Sequence, residues 1–149
     1  MRKILAATLL MVGLVAMGVA GVDLVAGRHI DVGWVTVDAD ISGITVTYST
    51  SDGWGLEETH LYVGTQPPRK SAPGRFPYKH ESLGGVTSDS YFVPLEELGV
   101  ECGDTVYLAT HAVVSKPGAG SETAWGEGQL IGKNWAMYFE FVLECGGTD

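Results

Sequence analysis

Apolar and polar positions alternate along most of the chain with a period of two, the spacing of strands that bury one face. Ile44, Val46 and Tyr48 alternate with Thr45, Thr47 and Ser49, which predicts a half-buried strand with β-branched residues on both faces. The same spacing over 56–63 puts Thr59, Leu61 and Val63 on one face and Glu58, His60 and Tyr62 on the other. A strand over 105–114 directs Val106, Leu108, Ala112 and Val114 one way and Tyr107, Ala109 and Val113 the other. A last strand over 135–143 sets Trp135, Met137, Phe139, Phe141 and Leu143 opposite Ala136, Tyr138, Glu140, Val142 and Glu144. Shorter strands are expected over 29–37, 91–95 and 122–129, with one helical turn at 96–98 closed by Gly99. Between 64 and 87 the prolines Pro67, Pro68, Pro73 and Pro77 forbid a central strand and predict a long loop.

Seven or so short strands separated by turn signals predict one all-β domain over 23–149, an antiparallel two-layer β-sandwich of immunoglobulin-like or jelly-roll topology. The chain before it reads differently. Arg2 and Lys3 precede an apolar run from Ile4 to Val22 with small residues around Ala20, the pattern of a signal helix for export. The expectation is a signal peptide over 1–20, with an uncleaved anchor to about residue 22 as the rival reading. The domain is then secreted or held at the cell envelope, and the membrane is a partner only through that segment.

Charge narrows the partners. The 149 residues carry nine Lys and Arg against 18 Asp and Glu, a net charge of −9. Removal of Arg2 and Lys3 leaves seven basic residues against the same 18 acids, or −11. Such a balance argues against nucleic acid, which needs a basic footprint. Arg69, Lys70, Arg75 and Lys79 nevertheless fall together in the long loop, and no acid lies between Gly64 and His80. A +4 loop on a body near −15 suits a partner of complementary charge, whether another copy of the chain or a different surface component. Cys102 and Cys145 are the two cysteines, and in an oxidising compartment the default is one disulfide between them.

Candidate chemistry is sparse. Glu58 and His60 share a strand face and, with His111 and Glu122 on neighbouring strands, compose a carboxylate–imidazole set of the kind that holds a metal ion. Glu58 with Glu127 is the pair a hydrolase reading would name, yet no nucleophile motif accompanies it. Trp34, Trp54 and Trp125 lie beside glycines, where sugar-binding modules place stacking rings, and a polysaccharide bound on Trp54, Tyr62 and Trp125 is the partner that follows. No catalytic residue, cofactor or resident metal is assigned.

The words ETHLYVG (Glu58 to Gly64), PGRFPYKHE (Pro73 to Glu81), ATHAVV (Ala109 to Val114), ETAWGEG (Glu122 to Gly128) and GKNWAMYFEF (Gly132 to Phe141) resemble, in that order, a domain of exported bacterial and archaeal surface proteins and lipoproteins whose biochemical role is unassigned. The resemblance implies an extracellular or envelope module and carries over no catalytic residues. The expected function is thus a secreted or cell-surface module, not an enzyme, that acts by binding or self-assembly. A carbohydrate-binding module ranks second and a metal-assisted hydrolase third.

Overall fold

A computed structural model describes residues 18–144. The expected signal helix and Cys145 fall outside these residues, apart from the last three positions of the 1–20 segment. Among the described residues ten strands form: β1 (Gly18–Ala26), β2 (Ile30–Ala39), β3 (Gly43–Thr50), β4 (Gly55–Gly64), β5 (Tyr78–His80), β6 (Ser88–Pro94), β7 (Thr105–Lys116), β8 (Gly120–Gly126), β9 (Gln129–Leu130) and β10 (Met137–Val142). A 3-10 turn covers Pro73–Arg75, and a single helical turn α1 spans Leu95–Leu98. Gly99 ends α1 with φ 68°, a left-handed conformation that glycine adopts without steric cost.

The all-β, antiparallel expectation holds, and the strands join in one continuous, nearly closed barrel-like sheet. Its order is β5-β4-β7-β8-β1-β2-β3-β6. The length of β7 makes this continuity possible. Its half from His111 to Lys116 pairs with β8, while Thr105–Leu108 pairs with β10. Strand β8 then hands the sheet to β1 through Leu24, Val25 and Ala26. At the opposite side Leu56 bridges to Val86, just before β6, so backbone pairing reaches back toward β4.

Strand β1 occupies the end of the apolar run, where no strand was expected. It pairs with β2 from Gly18↔Ala39 to Ala26↔Ile30, and the three-residue loop Gly27-Arg28-His29 joins the two. Gly27 and Arg28 both have positive φ, 54° and 76°, and His29 N–H donates to Ala26 O at 3.1 Å. That is the hairpin geometry whose twist matches its strands. Strand β5 arises where loop was expected, inside the proline-rich segment, and the strand expected over 122–129 is split into β8 and β9.

Period-two burial follows the sequence closely elsewhere. Ile44, Val46 and Tyr48 are wholly buried, as are Leu61, Val106, Leu108 and Val114. Side chains from both halves of the sheet meet in one core. A smaller second core lies on the outer face of β4, β7 and β8, where Phe76, Ile131 and Ala136 cover Ala109 and Trp125. The proline-rich loop is therefore not free of the body: it roofs one face of the sheet.

Candidate functional site

Beneath that roof the register of four strands aligns one row of side chains. His60 stands opposite Lys79 on β5 and opposite His111 on β7, and His111 stands opposite Trp125 on β8. Both histidines are buried, at 5% and 6% exposure. Their Nδ1 atoms are 3.1 Å apart in a hydrogen bond, so one ring donates and the other accepts. Trp125 meets His111 edge-on at 4.7 Å, and Phe76 lies edge-on to Trp125 at 6.1 Å. The exit from the row is acidic: Glu58 Oε1 is 3.5 Å from His60 Nε2, and Glu81 joins Glu58 and His60 within 4.8 Å. A β-bulge between Leu56 and Glu58 sets up this aim, since the extra residue turns the strand and redirects its neighbours.

Burial is the main force on both imidazoles. It holds His60 below its ordinary range, with Glu58 and Glu81 pulling the other way and Lys79 adding to the depression. Burial first, and then the neighbouring His60, take His111 down to about 3. Unfolded, His111 takes up a proton near its ordinary pKa of about 6.5. Folded, it does so only near 3, so between those values the unfolded chain binds more protons and stability falls with pH. At pH 4.5, about two units below the unfolded value and at about 1.4 kcal/mol per unit, the loss is between about 2 and 3 kcal/mol. Urea unfolding at pH 7 and 4.5 checks this, because His111→Gln should flatten the acid-side slope by that amount.

The opposite face of β4 carries a second polar group, which seams β4 and β5 to β6. Thr59 Oγ1 donates to Asp89 Oδ2 at 2.6 Å and lies 2.7 Å from the Tyr91 hydroxyl. Tyr91 in turn donates to Thr59 O at 3.0 Å. His80 Nδ1 approaches Asp89 Oδ2 at 2.9 Å, and its ring stacks on Tyr91 at 4.2 Å. Burial chiefly raises the Tyr91 phenol to about 12, so it stays a donor. Tyr48 closes the group from within, donating to His60 O at 2.8 Å. These bonds join strands that lack a shared backbone ladder.

The structure redistributes the remaining candidates. Glu122 does not join Glu58, His60 and His111; its carboxylate lies against the Gly27 turn, and Glu81 stands in its expected place. Glu127 follows β8 and donates its N–H to Asp23 O at 2.8 Å. It lines a hollow of about 320 Å³ with Gly21, Val22, Asp23 and Trp34, away from Glu58. Trp54 and Trp125 are buried at 7% and 5%, with Lys116 Nζ 5.8 Å from the Trp54 ring. Neither indole offers a stacking face, and Tyr62 packs near Phe76 and donates to Gln66 O. The indole that is exposed is Trp34, at 45%.

The basic loop residues separate into a group and an outlier. Arg69 and Lys70 line a hollow of about 370 Å³ with Lys133 and Asn134, and Asn134 Nδ2 donates to Ser71 Oγ at 2.9 Å to join the two segments. Arg69, Lys70 and Arg75 also rim an apolar hollow of about 320 Å³ floored by Tyr62, Pro68, Ala72 and Phe76. Lys79 donates instead to Gly74 O at 3.1 Å. Among the described residues the ion pairs are His60–Glu58 and His80–Asp89, so these lysines and arginines have no acidic partner. Lys133 was not singled out in the sequence, although the acid-free stretch from Gly128 to Phe139 carries the signal. Comparison with protein-family models, characterised proteins and solved structures found no match.

Proposed function

We propose that this chain is a secreted or cell-envelope module that acts by binding, and that it assembles with copies of itself through surfaces of opposite charge. The observation that carries the reading is the basic, aromatic-floored surface of Arg69, Lys70, Arg75 and Lys133, left without acidic partners on an acidic chain. Its complement is the hollow in which Asp23 and Glu127 flank the exposed Trp34. An indole entering the hollow of Tyr62, Pro68 and Phe76, with carboxylates meeting guanidinium and ammonium groups, joins unlike patches. Contacts between unlike patches are head-to-tail, so they propagate into rings or filaments. Charge steering makes such association salt-sensitive.

The export signal, the likeness to exported surface domains and a non-enzymatic role belong to the same proposal. Among the described residues no helix is long and apolar enough to cross a membrane. Cleavage after Ala20 leaves the buried Leu24 and Ala26 of β1 in place. The Cys102–Cys145 disulfide is also proposed. Support comes from Leu143, whose O accepts from Gly103 N–H and whose N–H donates to Asp104 O at 2.8 Å, beside Cys102. The loop-entropy model gives such a staple about 3 to 4 kcal/mol. In the finer architecture, β1-β2-β3-β6 and β5-β4-β7-β8 act as the two layers of a sandwich around the shared core.

Charge exchange tests the assembly. Arg69→Glu with Lys70→Glu cancels the positive charge of the basic patch against the remaining Arg75 and Lys133, and Asp23→Lys with Glu127→Lys makes both patches basic. Each variant alone is expected to sediment as a monomer in low salt, and an equimolar mixture to associate again.

A further inference from the structure

We propose that Glu58, His60 and Glu81 form a binding site for a divalent transition-metal ion of the zinc type, open to water at its remaining positions, with His111 as the positioning residue behind His60. Three observations converge. First, the His60–His111 hydrogen bond occupies Nδ1 of both rings. When His60 is the donor in that bond, its Nε2 carries a lone pair, and a neutral imidazole held by a hydrogen bond at its other nitrogen is the usual metal-ligand arrangement. Second, Nε2 faces Glu58 Oε1 at 3.5 Å, too long for a well-made N–H···O bond. Bond lengths of about 2.0 to 2.2 Å at a tetrahedral zinc put two ligand atoms about 3.4 Å apart. Third, two carboxylates share this corner, Glu81 lying one residue beyond β5 and within 4.8 Å of Glu58, and like charges at that range repel. Lys79, the adjacent cation, is turned to Gly74 O, and among the described residues no Lys or Arg pairs with either glutamate. A bound cation supplies the missing charge.

The burial gradient fits the role. His60 is buried and fixed from behind, while Glu58 is part-exposed and Glu81 exposed, so an ion has an entry path and both carboxylates have room to close on it. One imidazole with carboxylates selects zinc-like ions, whereas calcium and magnesium prefer oxygen alone. The site is independent of the charged surfaces proposed for assembly.

Calorimetric titration of the chelator-stripped full chain with Zn²⁺, alongside thermal melts, tests the proposal. The expected result is one saturable equivalent of zinc with a rise in Tm, and no such rise with Mg²⁺. Glu58→Gln with Glu81→Gln should weaken zinc binding at least about tenfold while leaving the metal-free Tm unchanged or higher, because like-charge repulsion is removed. His111→Phe should weaken binding about 10- to 100-fold by freeing the His60 ring, and should alter the visible spectrum of the Co²⁺-loaded protein. No saturable zinc binding, or binding unchanged in the double glutamine variant, would overturn the proposal.

Discussion

Leu108→Ala is expected to lower the unfolding free energy by about 3 to 4 kcal/mol, the range in which a buried leucine leaves a cavity its neighbours cannot fill. Leu108 is wholly buried on the strand where the sheet branches. It stands opposite Val63 of β4 on one side and Phe139 of β10 on the other. Truncation thus loosens both edges of β7 together, and the barrel-like path depends on β7 more than on any peripheral strand. Leu130→Ala, on the exposed β9, is the matched control and should fall within about 0.5 kcal/mol of wild type. Urea midpoints with unchanged slopes would attribute the difference to the folded core.

Thr59→Val is the second large effect, expected at about 2 to 3 kcal/mol although it leaves side-chain volume almost unchanged. The hydroxyl is the hub of the seam between β4 and β6: it donates to Asp89 and lies beside the Tyr91 hydroxyl. Without it Asp89, whose side chain is 14% exposed, retains His80 as its partner and loses a charge-assisted bond. Tyr91→Phe should cost less, about 1 kcal/mol, since the packing against His80 and Tyr48 remains. The double variant should cost less than the sum of the two, because both remove the same contact. Strict additivity would mean that the seam is surface decoration and that backbone pairing alone shapes the sheet.

Strands whose two faces differ in chemistry were legible from sequence. Ile44, Val46 and Tyr48 announced β3 because threonines and a serine fill its other face. The faces of β4, β7 and β10 were legible for the same reason, and the end of α1 from the helix-stopping glycine at Gly99. Strand β1 was not, because its residues Gly18–Val22 continue an apolar run without alternation, a pattern that carries no period. Closure of the sheet was hidden too: it rests on β7 sharing one edge between β8 and β10 while β4 holds the other, and on Thr59, His80, Asp89 and Tyr91 meeting from three strands. At the site, the His60 and Glu58 face could be read from spacing, but the identity of the second acid could not. Glu81 lies in a proline-rich segment that reads as loop, and the short β5 pairing brings it in place of Glu122. Trp54 and Trp125 misled for a related reason, since a glycine neighbour marks a bend and does not reveal that Phe76 folds over Trp125.

The most direct test of the binding role is sedimentation of the purified chain from Gly21 onward across concentration and salt, alone and with the charge-exchanged pair mixed. Complementary-surface assembly predicts species larger than monomer in low salt, their loss as salt rises, monomers for each exchanged variant and renewed association on mixing. A wild-type chain that stays monomeric at high concentration in low salt would contradict it.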